Sequence, residues 1–109
     1  MATQDNRERS DRGGAIQAQV SGHDAPQPTT PLEESWRDFV FAEVWSRDGL
    51  DRRSRYLVAL AGSTLSGADR DIIEGYARGA LSSNALTLGE LREAALHLAV
   101  YGGWQRGTT

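Results

Sequence analysis

The chain has no cysteine and no lysine among its 109 residues. The first absence excludes disulfides, thiolate metal sites and thiol redox catalysis. The second excludes a Schiff-base lysine and leaves guanidinium groups, backbone N–H groups and helix ends as the means of holding an anion. No apolar run approaches the roughly 20 residues of a membrane-spanning helix. The N-terminus has no basic start leading into an apolar stretch, as a secretory signal would have. The expectation is a soluble cytoplasmic protein. Its formal charge of −3 does not supply the basic face that nucleic acid rewards, so neither nucleic acid nor membrane is expected as a partner.

Residues 1–29 carry few large apolar side chains and many Gln, Ser, Gly, Asp and Arg. Such a segment buries too little surface to offset the entropy of ordering, and it reads as a disordered tail with His23 solvated in it. Residues 30–109 form the domain. Strand signals are absent, with no alternating runs and no Asn-Gly hairpin. The fold class is all-α, a small antiparallel bundle of about four helices.

The first helix opens with Thr30 as N-cap, Pro31 at the first position and Glu33 closing a capping box. Leu32, Trp36, Phe39, Val40 and Val44 recur at helical spacing, and Gly49 offers a stop. A second helix starts at Asp51 with Leu57, Val58, Leu60, Ala61 and Leu65. A third follows Ser66 and Asp69, with Ile72, Ile73, Tyr76, Ala80 and Leu81 as its stripe and Asn84 as a left-handed end. The fourth opens on a Thr87–Glu90 capping box and runs through Leu88, Leu91, Ala95 and Leu98 to Gly102 and Gly103. A helical core of about 80 residues without staples points to oligomerisation. Aromatic residues on two sides of the first helix, Trp36 and Phe39 against Phe41 and Trp45, suggest two buried surfaces.

Three places can carry chemistry. At about 100° per residue, His97 and Tyr101 fall on the flank of the fourth helix's apolar face, with Glu93 four residues before His97. A carboxylate there would orient the imidazole for acid–base work; the plainer reading is a boundary histidine with a surface partner. Arg52, Arg53 and Arg55 crowd a helix start where cations oppose the dipole. They read either as a surface salt-bridge cluster or as an anion site beside free helix N–H groups, with Arg55 best placed to face inward. Glu43, among Phe41, Val44 and Trp45, reads either as a general acid or base or as an ion pair with Arg47. The glycine pair follows a helix with no strand before it, so a nucleotide-binding loop is rejected. A helix–turn–helix over residues 82–98 would lead with Glu90 and Glu93, which repel phosphate.

The stretches "FAEVWSRDGLDRRSRYLVALA" and "GYARGALSSNALTLGELREAALHLAVYGGW" resemble the carboxymuconolactone decarboxylase-like family, related in fold to AhpD. The resemblance runs from about Trp36 to Trp104. It implies packed antiparallel helices assembled as trimers or hexamers, with sites near subunit interfaces and no metal or organic cofactor. The founding activity decarboxylates 4-carboxymuconolactone to the 3-oxoadipate enol-lactone in aromatic catabolism. Carried onto this sequence, it implies His97 and Glu43 as acid–base groups, with Arg55, Tyr76, Tyr101 and Trp104 binding substrate. Tyr76 stands where many members have histidine, and Asn84 where a glycine is usual. The AhpD-type Cys-x-x-Cys is missing, which excludes thiol peroxidase chemistry. Two readings follow: a cofactor-independent decarboxylase, or a non-catalytic oligomeric or ligand-binding relative. A closed pocket holding Glu43, Arg55 and His97 together favours the first; three separate positions count against that trio.

Overall fold

The computed structural model describes residues 4–103, and all regular structure within them is helical. The segment read as a disordered tail instead carries a helix, α1 (Gln4–Ser21). Its buried stripe is narrow, formed by Gly13, Ile16 and Val20 at helical spacing. Smallness as well as hydrophobicity seats it. A Cβ at Gly13 would lie 2.1 Å from the Arg37 carbonyl oxygen, and one at Gly79 would lie 1.4 Å from that of Val20. The two backbones therefore approach as only glycine permits. Polar contacts fix the seat: the Tyr56 hydroxyl donates to the Val20 carbonyl at 2.9 Å, and Arg78 Nε donates to that of Ser21 at 3.2 Å.

The next helix begins as expected. Thr30 Oγ1 accepts from the Glu33 N–H at 3.1 Å and caps α2 (Pro31–Ser35). The Glu33 carboxylate turns back to the Thr29 N–H at 3.1 Å, one residue earlier than a standard box. From Trp36–Val44 the hydrogen bonding widens to i→i+5, a π-helical segment closed by Trp45 N–H to Val40 O at 3.0 Å. This wider turn stacks Trp36, Phe41 and Trp45 along one side, with ring centroids 5.6 and 6.2 Å apart. Phe41 and Trp45 are core residues, while Phe39 is 61% exposed and Trp36 40%. The expected grouping of Trp36 with Phe39 therefore does not hold: Trp36 is the exposed end of the Phe41–Trp45 row, and Phe39 alone points outward. The helix ends at Val44 rather than running on to Gly49.

Three helices complete the domain: α3 (Arg52–Ser66), α4 (Arg70–Ser82) and α5 (Leu88–Gly102). Asp51 caps α3 by accepting from the Ser54 N–H at 2.7 Å. Asn84 ends α4 at φ 60°. Thr87 and Glu90 form the full reciprocal box at the start of α5. The core centres on Trp45, whose ring meets Tyr56 at 5.1 Å and stacks on Tyr76 at 5.9 Å. Several residues of the expected stripes face outward instead: Val58, Ile72, Leu81 and Leu88 are exposed. α5 leans mainly on α3, which leaves Leu96, Val100 and Tyr101 uncovered. No helix among the described residues is long and apolar enough to cross a membrane.

Candidate functional site

The three arginines opening α3 go to three different places. Arg52 lies over the Trp45 ring, 6.0 Å from its centroid. Arg53 pairs with Glu90 of α5 and donates to the Ala85 carbonyl at 3.4 Å. Arg55 Nη2 donates to the Arg47 carbonyl at 2.8 Å, while its Nε is buried with no hydrogen-bond partner. Neighbours two apart point to opposite sides of a helix, so Arg53 and Arg55 serve different cavities.

The larger is a groove of about 530 Å³ between α3 and α5, walled by Leu57, Leu60, Ala61, Leu86 and Leu98. Arg53, Glu90, Glu93, His97 and Tyr101 form its polar rim. His97 meets the Tyr101 ring at 5.4 Å, and no hydrogen bond joins it to Glu93 among the described residues. Both His97 and Tyr101 are exposed, Tyr101 by 77%. The Arg53 guanidinium, with the Thr87 N–H behind it, holds the Glu90 carboxyl down to about 2. The rim thus sets one guanidinium, already paired, against two carboxylates. For an anionic ligand that balance is unfavourable.

On the other side of α3 is a cavity of about 230 Å³ lined by Val40, Val44, Trp45, Leu50, Val58, Ala59, Tyr76 and Arg55. Its walls are apolar apart from one guanidinium and one phenol. No hydrogen bond reaches the Tyr76 hydroxyl among the described residues, and burial pushes the phenol up to about 12. Tyr76 therefore remains a neutral donor across the physiological range. The cavity is thus lined by one cation and one neutral tyrosine among apolar side chains, with Leu50 and Val58 partly open to solvent.

The residues expected to form one site are distributed among three. Arg55 and Tyr76 share the smaller cavity, and His97 and Tyr101 share the groove. Glu43 is in neither; it pairs with Arg12 of α1 at 3.3 Å, half exposed, instead of with Arg47. Trp104 lies outside the described residues. The trio of Glu43, Arg55 and His97 is not brought together within one chain. Sequence reasoning missed the groove role of Arg53, although Arg53, Leu57, Leu60 and Ala61 share one helical face. The Arg12 partner could not be read from a segment taken as disordered. His23, read as solvated, is exposed but lines a third cavity beneath the end of α1. Among the described residues, no three His, Asp or Glu side chains converge in a way that could hold a metal ion.

Comparison with known proteins agrees with the helical architecture. The carboxymuconolactone decarboxylase family model matches residues 31–108. The chain is 40% identical over 76 residues to the nitrosuccinic acid decarboxylase of Metarhizium robertsii, covering 69% of this chain and 51% of that protein. It is 40% identical over 65 residues to the 4-carboxymuconolactone decarboxylase of Acinetobacter baylyi, covering 60% of this chain and 47% of that protein. The chain spans about half the length of the curated relatives it matches. No solved structure matches it significantly. The family match takes in α2 through α5, including both the Arg55 cavity and the groove, and by that match the chain belongs to the carboxymuconolactone decarboxylase family.

Proposed function

We propose that this chain is a decarboxylase acting on a small carboxylated lactone or enolisable acid, in the cavity of Arg55 and Tyr76. The observation that carries the reading is the Arg55 guanidinium in the wall of a cavity that is apolar apart from it and Tyr76. A charge-assisted hydrogen bond from a guanidinium to an oxyanion is roughly twice as strong as a neutral one, and the apolar walls leave Arg55 as the cation of this cavity. The relatives' names support the reaction class, since both describe loss of carbon dioxide from a small acid.

The chemistry follows from the walls. Arg55 holds an oxygen of the substrate that gains negative charge as the reaction proceeds. The leaving carboxylate rests against Val40, Val44 and Trp45, where lost hydration weakens the charged ground state. Its bond to carbon breaks, carbon dioxide departs, and the electron pair delocalises toward the Arg55 guanidinium. Tyr76, which stands where many members have histidine, then delivers its proton to carbon. We further propose a homo-oligomer, a trimer or hexamer as the resemblance implies, in which Leu96, Val100 and Tyr101 of α5 are covered by another copy. His97 lies on that face.

The test offers 4-carboxymuconolactone and nitrosuccinic acid to the purified protein and measures released carbon dioxide. Tyr76→Phe should lower kcat by about 10²-fold or more. Turnover unchanged in that variant would remove Tyr76 from the mechanism. The separation of Glu43, Arg55 and His97 favours a second reading, a ligand-binding relative without catalysis. Saturable binding of these acids without carbon dioxide release would establish it.

A further inference from the structure

Tyr76 forms part of two walls. One faces the Arg55 cavity; the other faces a space of about 180 Å³ under the C-terminal end of α1, lined also by Gln17, Ser21, His23, Asp71 and Arg78. The two spaces differ in kind. The Arg55 cavity offers a water few polar partners, and substrate would fill it. The space under α1 presents a carboxylate, an imidazole, a guanidinium and an amide, and it has room for roughly six waters at about 30 Å³ each. His23 is exposed, so this space reaches solvent. Its Nδ1 donates to the Asp24 carbonyl at 2.9 Å.

A phenol that protonates carbon must recover its proton before the next turnover. Each cycle consumes one proton: a carboxylate and a proton become carbon dioxide and a new C–H bond. A ligand filling the Arg55 cavity would displace water from that side of Tyr76 and leave the space under α1 as the other approach to it. We infer that the space under α1 is a water-filled proton entrance, and that His23 and Asp71 are positioning residues that hold its water against Tyr76. In the forward step the phenol O–H breaks as the C–H bond forms. The resulting phenolate takes a proton from a cavity water, and bulk solvent restores that water through the opening at His23. The inference rests on the Tyr76 role proposed above. It assigns a function to α1, which precedes the family match at residue 31 and supplies Gln17 and Ser21 to the wall.

Gly75 provides the means to test it. It lines this space and not the Arg55 cavity, and a Cβ there would meet only Arg78 Nη2, at 3.8 Å. Gly75→Met therefore fills the entrance without displacing backbone. Ile72→Phe does the same from an exposed position on the preceding turn. The readout is hydrogen exchange of the Tyr76 hydroxyl, followed by the isotope shift at its labelled ring carbon in mixed light and heavy water, with no substrate present. Exchange should slow several-fold in Gly75→Met or Ile72→Phe and stay at the parent rate in Ala59→Met, which narrows the Arg55 cavity instead. Exchange slowed by Ala59→Met alone, or by none of the three, would overturn the inference. In turnover of 4-carboxymuconolactone, Gly75→Met should lower kcat and leave KM unchanged. Because exchange is read without substrate, a wild-type protein that releases no carbon dioxide counts against the decarboxylase and not against the entrance.

Discussion

Replacing Arg55 by methionine separates the ligand-binding role of this residue from its structural one. Two terms oppose each other in the free protein. The variant loses the Nη2 bond to the Arg47 carbonyl, 2.8 Å long and partly open to solvent, worth about 1.5 kcal/mol at the low end for charged donors. It also removes the buried Nε that has no acceptor, which returns about 1–3 kcal/mol. The unbranched methionine stem keeps the contacts with Val58 and Ala59. The sum lies between a loss of about 0.5 and a gain of about 1.5 kcal/mol, a shift of at most about 1.5 M in a urea midpoint. Ligand affinity responds differently. A charged hydrogen bond worth about 1.5–3 kcal/mol is lost, which weakens binding by roughly 10- to 150-fold. Urea unfolding beside titration with a small dicarboxylate measures both quantities on one sample. A loss of more than about 3 kcal/mol in stability with affinity intact would refute the reasoning, because it would make Arg55 a structural residue.

Further outcomes follow from the same geometry. Burial holds the Tyr76 phenol at about 12 against an ordinary value of 10, so the folded state binds more protons between those limits. Stability therefore falls as pH rises from 10 to 12, by about 3 kcal/mol at 1.36 kcal/mol per unit, and Tyr76→Phe should flatten that slope in alkaline urea titrations. Glu90 is shifted the opposite way, to about 2 from 4.5. Its contribution is complete above 4.5 and is lost as pH falls toward 2, and Glu90→Gln should remove that part of the acid transition. Gly79→Ala would place a Cβ 1.4 Å from the Val20 carbonyl oxygen. It should dislodge α1, seen as rapid proteolysis before residue 31 and as loss of the Tyr56 hydrogen bond; an intact, protected α1 would contradict the close contact.

The helices of the family segment were legible because their ends are written locally. Thr30, Asp51 and Thr87 cap where their side chains allow, and Asn84 takes the left-handed end. α1 was not legible. Its contact rests on glycine at 13 and 79 and on one tyrosine hydroxyl, and mean composition conceals such a stripe. The π-helical turn was likewise hidden, since a spacing argument assumes 3.6 residues per turn. That error reversed the sides of Phe39 and Phe41. At the site, local sequence singled out Arg55 as the arginine most able to face inward, and the family resemblance singled out Tyr76; the two line one cavity. It could not show that Arg53 and Arg55 open on opposite sides of α3, because that depends on where α5 and the π-helical segment settle.

The Nε–H of Arg55 reports on the central claim directly. In a nitrogen-labelled sample its resonance is followed while 4-carboxymuconolactone, or succinate as a stable carboxylate, is added. The account predicts a saturable shift of this N–H as an oxyanion binds beside the Arg55 guanidinium, with the Arg53 resonance unmoved. A ligand that shifts Arg53 and His97 and leaves Arg55 untouched would place binding in the α3–α5 groove and contradict the account.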